Sequence, residues 1–490
     1  MNTLVMLVVA TLALPEGTSE DLLDAVRSRN VEAVSALLDE TADAGAAAVD
    51  GTTALHWAVQ NDDHEIAEML VAAGADATAR NRYGITLLHL AAVNGSAGMI
   101  GMLLAAGADP NEAGNEGETA LMTASRTGRA DAVRTLLDAG AEVDTREDWH
   151  GQTALMWAVG QGHAEVARLL VARGADVNAV SARRDWERQN TAEPRQKWLP
   201  LGALTPIYFA ARDGCAACVP VLVEAGAGVD VQDPEGVTPL VSAIINGHYD
   251  VAAELLEHGA DPNLADADGR APLFAAVDFN TMPASNRPAP NVLENEVSSL
   301  DLIRMLLARG ADVNAQLARQ QAFRTKLDRG NDGVLGTGTT PLLRAAKSAD
   351  LEAMKVLLEH GADPAIATRA GVNPLMAAAG VGTSDSDSTG RYKTEEEINQ
   401  AIRVLIDTGL DVNATNGRGQ TALHGAALMG FDEVVRFLAE NGAELDLEDS
   451  RGFTPLQVAL GEAGGFGFAG TGSEVHESTA ALIRELTAAR

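Results

Sequence analysis

The chain of 490 residues carries 69 acidic side chains against 36 basic ones, a formal net charge of −33. Such a surface repels phosphate backbones, whose affinity for proteins rests largely on Lys and Arg, so nucleic acid and anionic membrane are poor partners. Two cysteines exclude a disulfide framework and a four-cysteine zinc site. No apolar run approaches the roughly 20 residues of a membrane-spanning helix.

Hydrophobic residues make up 46% of the chain but aromatics only 4%. A core of Ala, Leu and Val follows, and two of these are strong helix formers, so the expected class is all-α. Residues 1–17 read as a possible signal segment or tail. Residues 4–14, LVMLVVATLAL, have the length of a secretory apolar stretch, and Thr11-Leu12-Ala13 offers a small-x-small cleavage site. The positive flank is missing, since no Lys or Arg precedes Arg27. The expectation is a periplasmic or secreted protein, with a cytoplasmic one as the alternative.

Residues 18–50 form an N-terminal capping repeat, with a helix pair over 19–38. From Thr53 a phrase begins that returns along the chain. It reads TALHWA at 53–58, TLLHLA from Thr86, TALMTA from Thr119, TALMWA from Thr153, TPIYFA from Thr205 and TPLVSA from Thr238. APLFAA follows Arg270, then TPLLRA from Thr340, NPLMAA after Val372, TALHGA from Thr421 and TPLQVA from Thr454. Seven of the ten steps between these phrases are 32 to 34 residues. About twenty positions after most of them stands Gly-Ala-Asp or a near relative, as at Gly74, Gly107, Gly140 and Gly361.

A 33-residue period with T-P-L-H-x-A resembles the ankyrin repeat family, and the resemblance covers roughly residues 18–490. It implies an all-α solenoid of about twelve helix-turn-helix repeats with short hairpin fingers, and binding of proteins rather than catalysis. The residues agree. Thr caps the first helix, and Pro suits its first turn. Leu and Ala point inward, Gly ends the second helix in a left-handed conformation, and Asp or Asn favours the finger turn.

Repeats are expected over 51–178, 202–314 and 339–460, the last two with inter-helix insertions at 278–300 and 379–396. Long finger insertions occupy 179–201 and 315–338, and 461–490 holds a Gly-rich linker and a C-terminal capping helix. Long loops on a regular scaffold are more often functional than structural. The first long finger carries Arg183, Arg184, Trp186, Arg188 and Trp198; the second carries Arg319, Phe323, Arg324, Lys326 and Arg329. Arg and Trp are typical interface anchors, so these fingers are the expected partner site. The competing reading is that they fold back and pair with acidic neighbours.

Most histidines occupy repeated slots: His56, His89 and His424 in the phrase itself, His64, His163 and His248 near the start of a second helix. His150 and His476 have no slot, and no catalytic motif occurs. Cys215-Ala-Ala-Cys218 reads as a buried pair of small hydrophobes, with a disulfide as the alternative. In the window 385–396, Asp385, Asp387, Thr389 and Glu396 stand at EF-hand ligand positions, with Gly390 at the sixth. Tyr392 departs from that pattern, and Thr394-Glu-Glu-Glu also reads as a capped helix start. Calcium is the one cofactor weighed against none. The functional expectation is a non-enzymatic, monomeric interaction module or scaffold that binds another protein through its concave face and long fingers. A calcium-dependent binding protein or enzyme with its site in the insertions, and a secreted host-directed effector, are the alternatives.

Overall fold

The computed structural model describes residues 18–40, 42–184, 201–280, 294–319, 334–382, 393–463 and 475–490. These residues hold 24 helices in pairs. The first unit contains α1 (Thr18–Arg27), α2 (Val31–Asp39), α3 (Ala54–Gln60), α4 (His64–Ala72) and α5 (Leu87–Asn94). It continues with α6 (Ala97–Ala105), α7 (Ala120–Arg126), α8 (Ala130–Asp138), α9 (Ala154–Gly160) and α10 (Ala164–Ala172). Next come α11 (Pro206–Asp213), α12 (Cys218–Glu224), α13 (Pro239–Ile245), α14 (Tyr249–Glu257), α15 (Pro272–Asn280), α16 (Ser299–Ala308) and α17 (Pro341–Lys347). The series ends with α18 (Leu351–Glu359), α19 (Pro374–Ala378), α20 (Glu395–Asp407), α21 (Ala422–Met429), α22 (Asp432–Glu440), α23 (Pro455–Ala459) and α24 (Glu477–Ala488). The chain divides into two compact units, Met1–Ala182 with Glu224–Gly226, and Arg183–Val223 with Ala227–Arg490. α15 and α20 reach into the stretches read as inter-helix insertions.

Within each unit, first helices stack on first helices and second on second, as α3 on α5 and α6 on α8. The sequence phrase explains the inner layer. Thr53, Thr119, Thr153, Thr238 and Thr340 each accept the backbone N–H three residues on, and Asn373 does the same in place of Thr. At Thr205 the hydroxyl is instead buried without a partner. The alanine at the sixth position of the phrase is fully buried in repeat after repeat, as at Ala58, Ala91, Ala158, Ala243 and Ala345. A methyl there lets neighbouring helices approach closely.

Three second helices, α10, α14 and α24, are each preceded by a histidine that ties the helix to the repeat before it. His163, His248 and His476 each donate Nε2–H to a carbonyl one repeat back, on Arg126, Arg212 and Leu428, at 3.0 Å each. His476, which had no slot in the sequence, therefore takes the same place in the last repeat. Its ring needs Gly430, where φ is +68° and an added Cβ would lie 2.4 Å from the imidazole.

Several fingers owe their shape to one acceptor each. Asn81, Asp233, Asp266, Asn416 and Asp449 each take two N–H groups of their own tip on a side-chain oxygen, at 2.9–3.1 Å. The finger between Thr119 and Thr153 is one residue longer, and there the acceptor is Glu147. Its longer carboxylate reaches the N–H groups of Trp149, His150 and Gln152 at 2.6–2.8 Å. The Asn of the preceding turn does more than favour that turn. Asn111, Asn263, Asn314 and Asn413 each reach the glycine carbonyl that ends the following repeat, at 3.0–3.4 Å.

One expectation is corrected. Cys215 and Cys218 are not two separate thiols but a disulfide, with Cα atoms 5.3 Å apart. That separation lies within the span a disulfide requires.

Candidate partner-binding surface

The long fingers enter the description only at their bases. Arg183 pairs with Gly202 in an isolated antiparallel bridge, and Arg184 N–H donates to the Leu201 carbonyl at 2.8 Å. At the second finger, Arg319 pairs with Asp268 at 2.5 Å, while Val334 is buried against Leu343, Val372 and Met376. Arg319 thus anchors the base of its finger to the finger before it. Trp186, Arg188, Trp198, Phe323, Arg324, Lys326 and Arg329 lie outside the described residues.

So do Asp385, Asp387 and Thr389. Glu396 sits in the first turn of α20, where its carboxylate accepts Gln400 Nε2–H at 2.8 Å. That turn is a capping box between Thr394 and Glu397, as the competing reading of the sequence had it. Among the described residues no group of three or more His, Cys, Asp or Glu side chains could hold a metal ion.

Two rows of the first unit, which the sequence reading passed over, stand out instead. One is the finger ridge. Consecutive tips are joined by backbone bonds: Arg82 N–H to Asp50 O at 2.9 Å, Asp148 N–H to Glu116 O at 2.8 Å, and Ala182 N–H to His150 O at 2.6 Å. Asn115 Nδ2 closes the remaining gap on the Tyr83 carbonyl at 2.8 Å. On this braced edge large apolar side chains face water: Val49 at 102% exposure, Tyr83 at 57% and Trp149 at 54%. Exposed Glu116 and Asp148 flank them, and the Arg82 guanidinium lies over the Tyr83 ring at 5.1 Å.

The second row lies on the first helices. Arg27 stacks on Trp57 at 4.8 Å and Arg126 on Trp157 at 5.1 Å. Each cation over a ring face is held by the ring quadrupole. Both indole Nε1–H groups are buried without a hydrogen-bond acceptor. Each is an unsatisfied donor, and such groups are uncommon in native proteins.

The one signal that could have found the ridge is the step of 34 residues from Thr119 to Thr153. Its extra residue lies in a tip reading Asp148-Trp149-His150. Both ring types there are exposed, with centroids 5.7 Å apart.

The fold and these surfaces define a class: a stack of helix pairs whose projecting, braced fingers carry side chains into solvent. The family model described as ankyrin repeats (three copies) matches residues 22–113, 88–181, 207–317 and 394–465, and the single-repeat model matches 337–369. The chain belongs to the ankyrin repeat family, and its array is a protein–protein interaction module. It is 34% identical over 142 residues to SH3 and multiple ankyrin repeat domains protein 2 of Homo sapiens, covering 25% of this chain and 8% of that protein. It is 32% identical over 123 residues to B-cell lymphoma 3 protein homolog of Mus musculus, covering 25% and 24%. With ankyrin repeat and SOCS box protein 16 of Homo sapiens it shares 32% identity over 186 residues, covering 38% and 34%. Among the described residues no helix is long and apolar enough to cross a membrane.

Proposed function

We propose that this protein is a non-enzymatic scaffold that holds a protein partner along the finger ridge of its first unit. The long finger that begins at Arg183 and Arg184 belongs to the other unit and is a separate candidate surface. The observation that carries this reading is the display of Val49, Tyr83 and Trp149 on a ridge braced from tip to tip. Large apolar groups exposed together mark interaction surfaces, and Tyr and Trp are the usual anchors. Glu116 and Asp148 beside them, on a chain of net charge −33, favour a partner with a basic face.

The test is affinity and stability measured together, once a partner has been recovered from the native organism. Tyr83→Ala and Trp149→Ala are expected to weaken binding about thirtyfold or more, the loss typical of a hot-spot residue. Their melting temperatures should stay near that of the parent, because both rings face solvent. Trp186→Ala and Trp198→Ala test the long finger by itself. Full affinity retained by Tyr83→Ala and Trp149→Ala would refute the ridge.

A periplasmic or secreted location fits this reading. It is supported by the Cys215–Cys218 disulfide, since such bonds persist in oxidising compartments. Recovery of the protein from cytosol with Met1 intact would reject it.

A further inference from the structure

Helix α12 differs from its counterparts. The second helices α10, α14 and α18 hold nine residues each, whereas α12 holds seven and starts at Cys218. In register with α10 and α14 it would start at Ala216. Pro220 explains the loss: such a helix needs an N–H on residue 220 to meet the Ala216 carbonyl, and proline has none. Starting at Cys218 moves Pro220 into the first turn, where an N–H has no intrahelical partner anyway.

Ala216 and Ala217 are left in a tight bend. Cys218 N–H donates to the Cys215 carbonyl and Val219 N–H to the Ala216 carbonyl, each at 3.1 Å. The disulfide spans this bend, and both cysteines are buried, at 4% and 0% exposure. Cys215 also stands in the slot that His163 and His248 use to bond a carbonyl one repeat back. A thioether-like sulfur in a disulfide has no N–H to give. A covalent link within the repeat therefore stands where other repeats carry a hydrogen bond between repeats.

We propose that Cys215–Cys218 is a redox-responsive clip on this one repeat. Oxidised, it holds the bend and the start of α12. A dithiol reductant supplies two electrons and two protons, the S–S bond is cleaved to two thiols, and the reductant closes its own disulfide. Burial of both sulfurs directs this exchange through local opening of the repeat. Once the bond is gone, the opened state of this repeat is less restricted and is visited more often. In a repeat array stability is a sum of repeat and nearest-neighbour contributions, so distant repeats keep theirs.

Hydrogen exchange on the full chain, with and without a small dithiol reductant, tests this. Amides of α11 and α12 should exchange roughly tenfold faster after reduction, the order expected for releasing a short loop, while those of α3 to α8 stay unchanged. The double variant Cys215→Ser, Cys218→Ser should exchange at the reduced rate and ignore the reductant. Equal exchange at α11 and α12 in both redox states overturns the proposal. So does faster exchange spread over every repeat, or recovery of two free thiols from the untreated protein by alkylation after unfolding.

Discussion

Histidine at the fourth position of the repeated phrase is a tie with two ends. His89 Nε2 lies 2.9 Å from the Glu118 carbonyl in the next finger, and Nδ1 lies 2.7 Å from the Thr86 hydroxyl. His56 and His424 reach the Ile85 and Phe453 carbonyls in the same way, at 3.3 and 3.1 Å. In these two the Nδ1 atom also faces the N–H of Thr53 or Thr421, so it must accept and Nε2 must carry the proton. A second proton, on Nδ1, would break the bond that the Thr N–H donates there. Burial pushes all three imidazoles below the ordinary histidine range. The carbonyl bonds and the carboxylates of Asp50, Glu118, Glu112 and Asp449 partly oppose this, while Arg80 and Arg451 reinforce it. The unfolded chain therefore takes up protons first as pH falls. The stability these ties give is complete above about pH 6.5 and is lost as pH drops through the lowered folded values. In thermal denaturation these groups should pull the melting temperature down between pH 7.5 and pH 5, against the relief of carboxylate repulsion over the same range. His89→Gln should start lower at pH 7.5 and fall less steeply, since one of the three titrating groups is gone. An unchanged slope would contradict this assignment.

At the scale of the element, the finger acceptor and the finger length are matched. A carboxylate one methylene shorter than Glu147 cannot reach Trp149, His150 and Gln152 together, because this tip holds one residue more than its neighbours. Glu147 is itself buried, so water does not readily replace a lost bond. Glu147→Asp is expected to cost about 1–2 kcal/mol by leaving at least one N–H unsatisfied, read as a lowered denaturation midpoint. Exchange at residues 149–152 should accelerate. The converse change, Asp233→Glu in a finger of ordinary length, should perturb its finger less, since the longer arm can fold back into solvent.

Across the whole molecule, charge is the dominant quantity. With 69 acidic side chains against 36 basic ones, the chain repels itself, and this repulsion is screened over roughly 8 Å at physiological ionic strength. Added salt should therefore raise the melting temperature modestly. If the partner presents a basic face to the ridge, the same salt should slow association while leaving dissociation nearly unchanged. Stopped-flow association between about 50 and 300 mM salt separates the two effects, and a flat association rate would speak against a basic partner. Charge is not uniform along the fingers of the second unit either. The tips carry Glu235 and Asp268 early, and Arg369, Arg418 and Arg451 late. The Arg319–Asp268 pair lies where that change falls.

The repeating helix pairs were legible from the residues alone. The reason is range: a capping Thr, an inward Leu and Ala, and a glycine at φ near +90° act within one repeat of about 33 residues. Their spacing can be read without knowing what lies beside them. The sequence also named α20's capping box, which is local in the same sense. What lay between repeats was not legible. Asn111 and Asn314 look like turn residues until the next glycine carbonyl arrives, and His476 looks unplaced until Leu428 stands opposite. Trp57, Trp149 and Trp157 are one residue type with two fates. Two lie under arginines on the first helices, and one is exposed on a finger tip. The state of Cys215 and Cys218 was open for a different, local reason. C-x-x-C spacing alone permits two thiols or one bond, and the bend left by the shortened α12 brought the sulfurs together. Tertiary structure decided the points between repeats because exposure and pairing there belong to a residue's neighbours, which stand some 30 to 50 positions away in the chain.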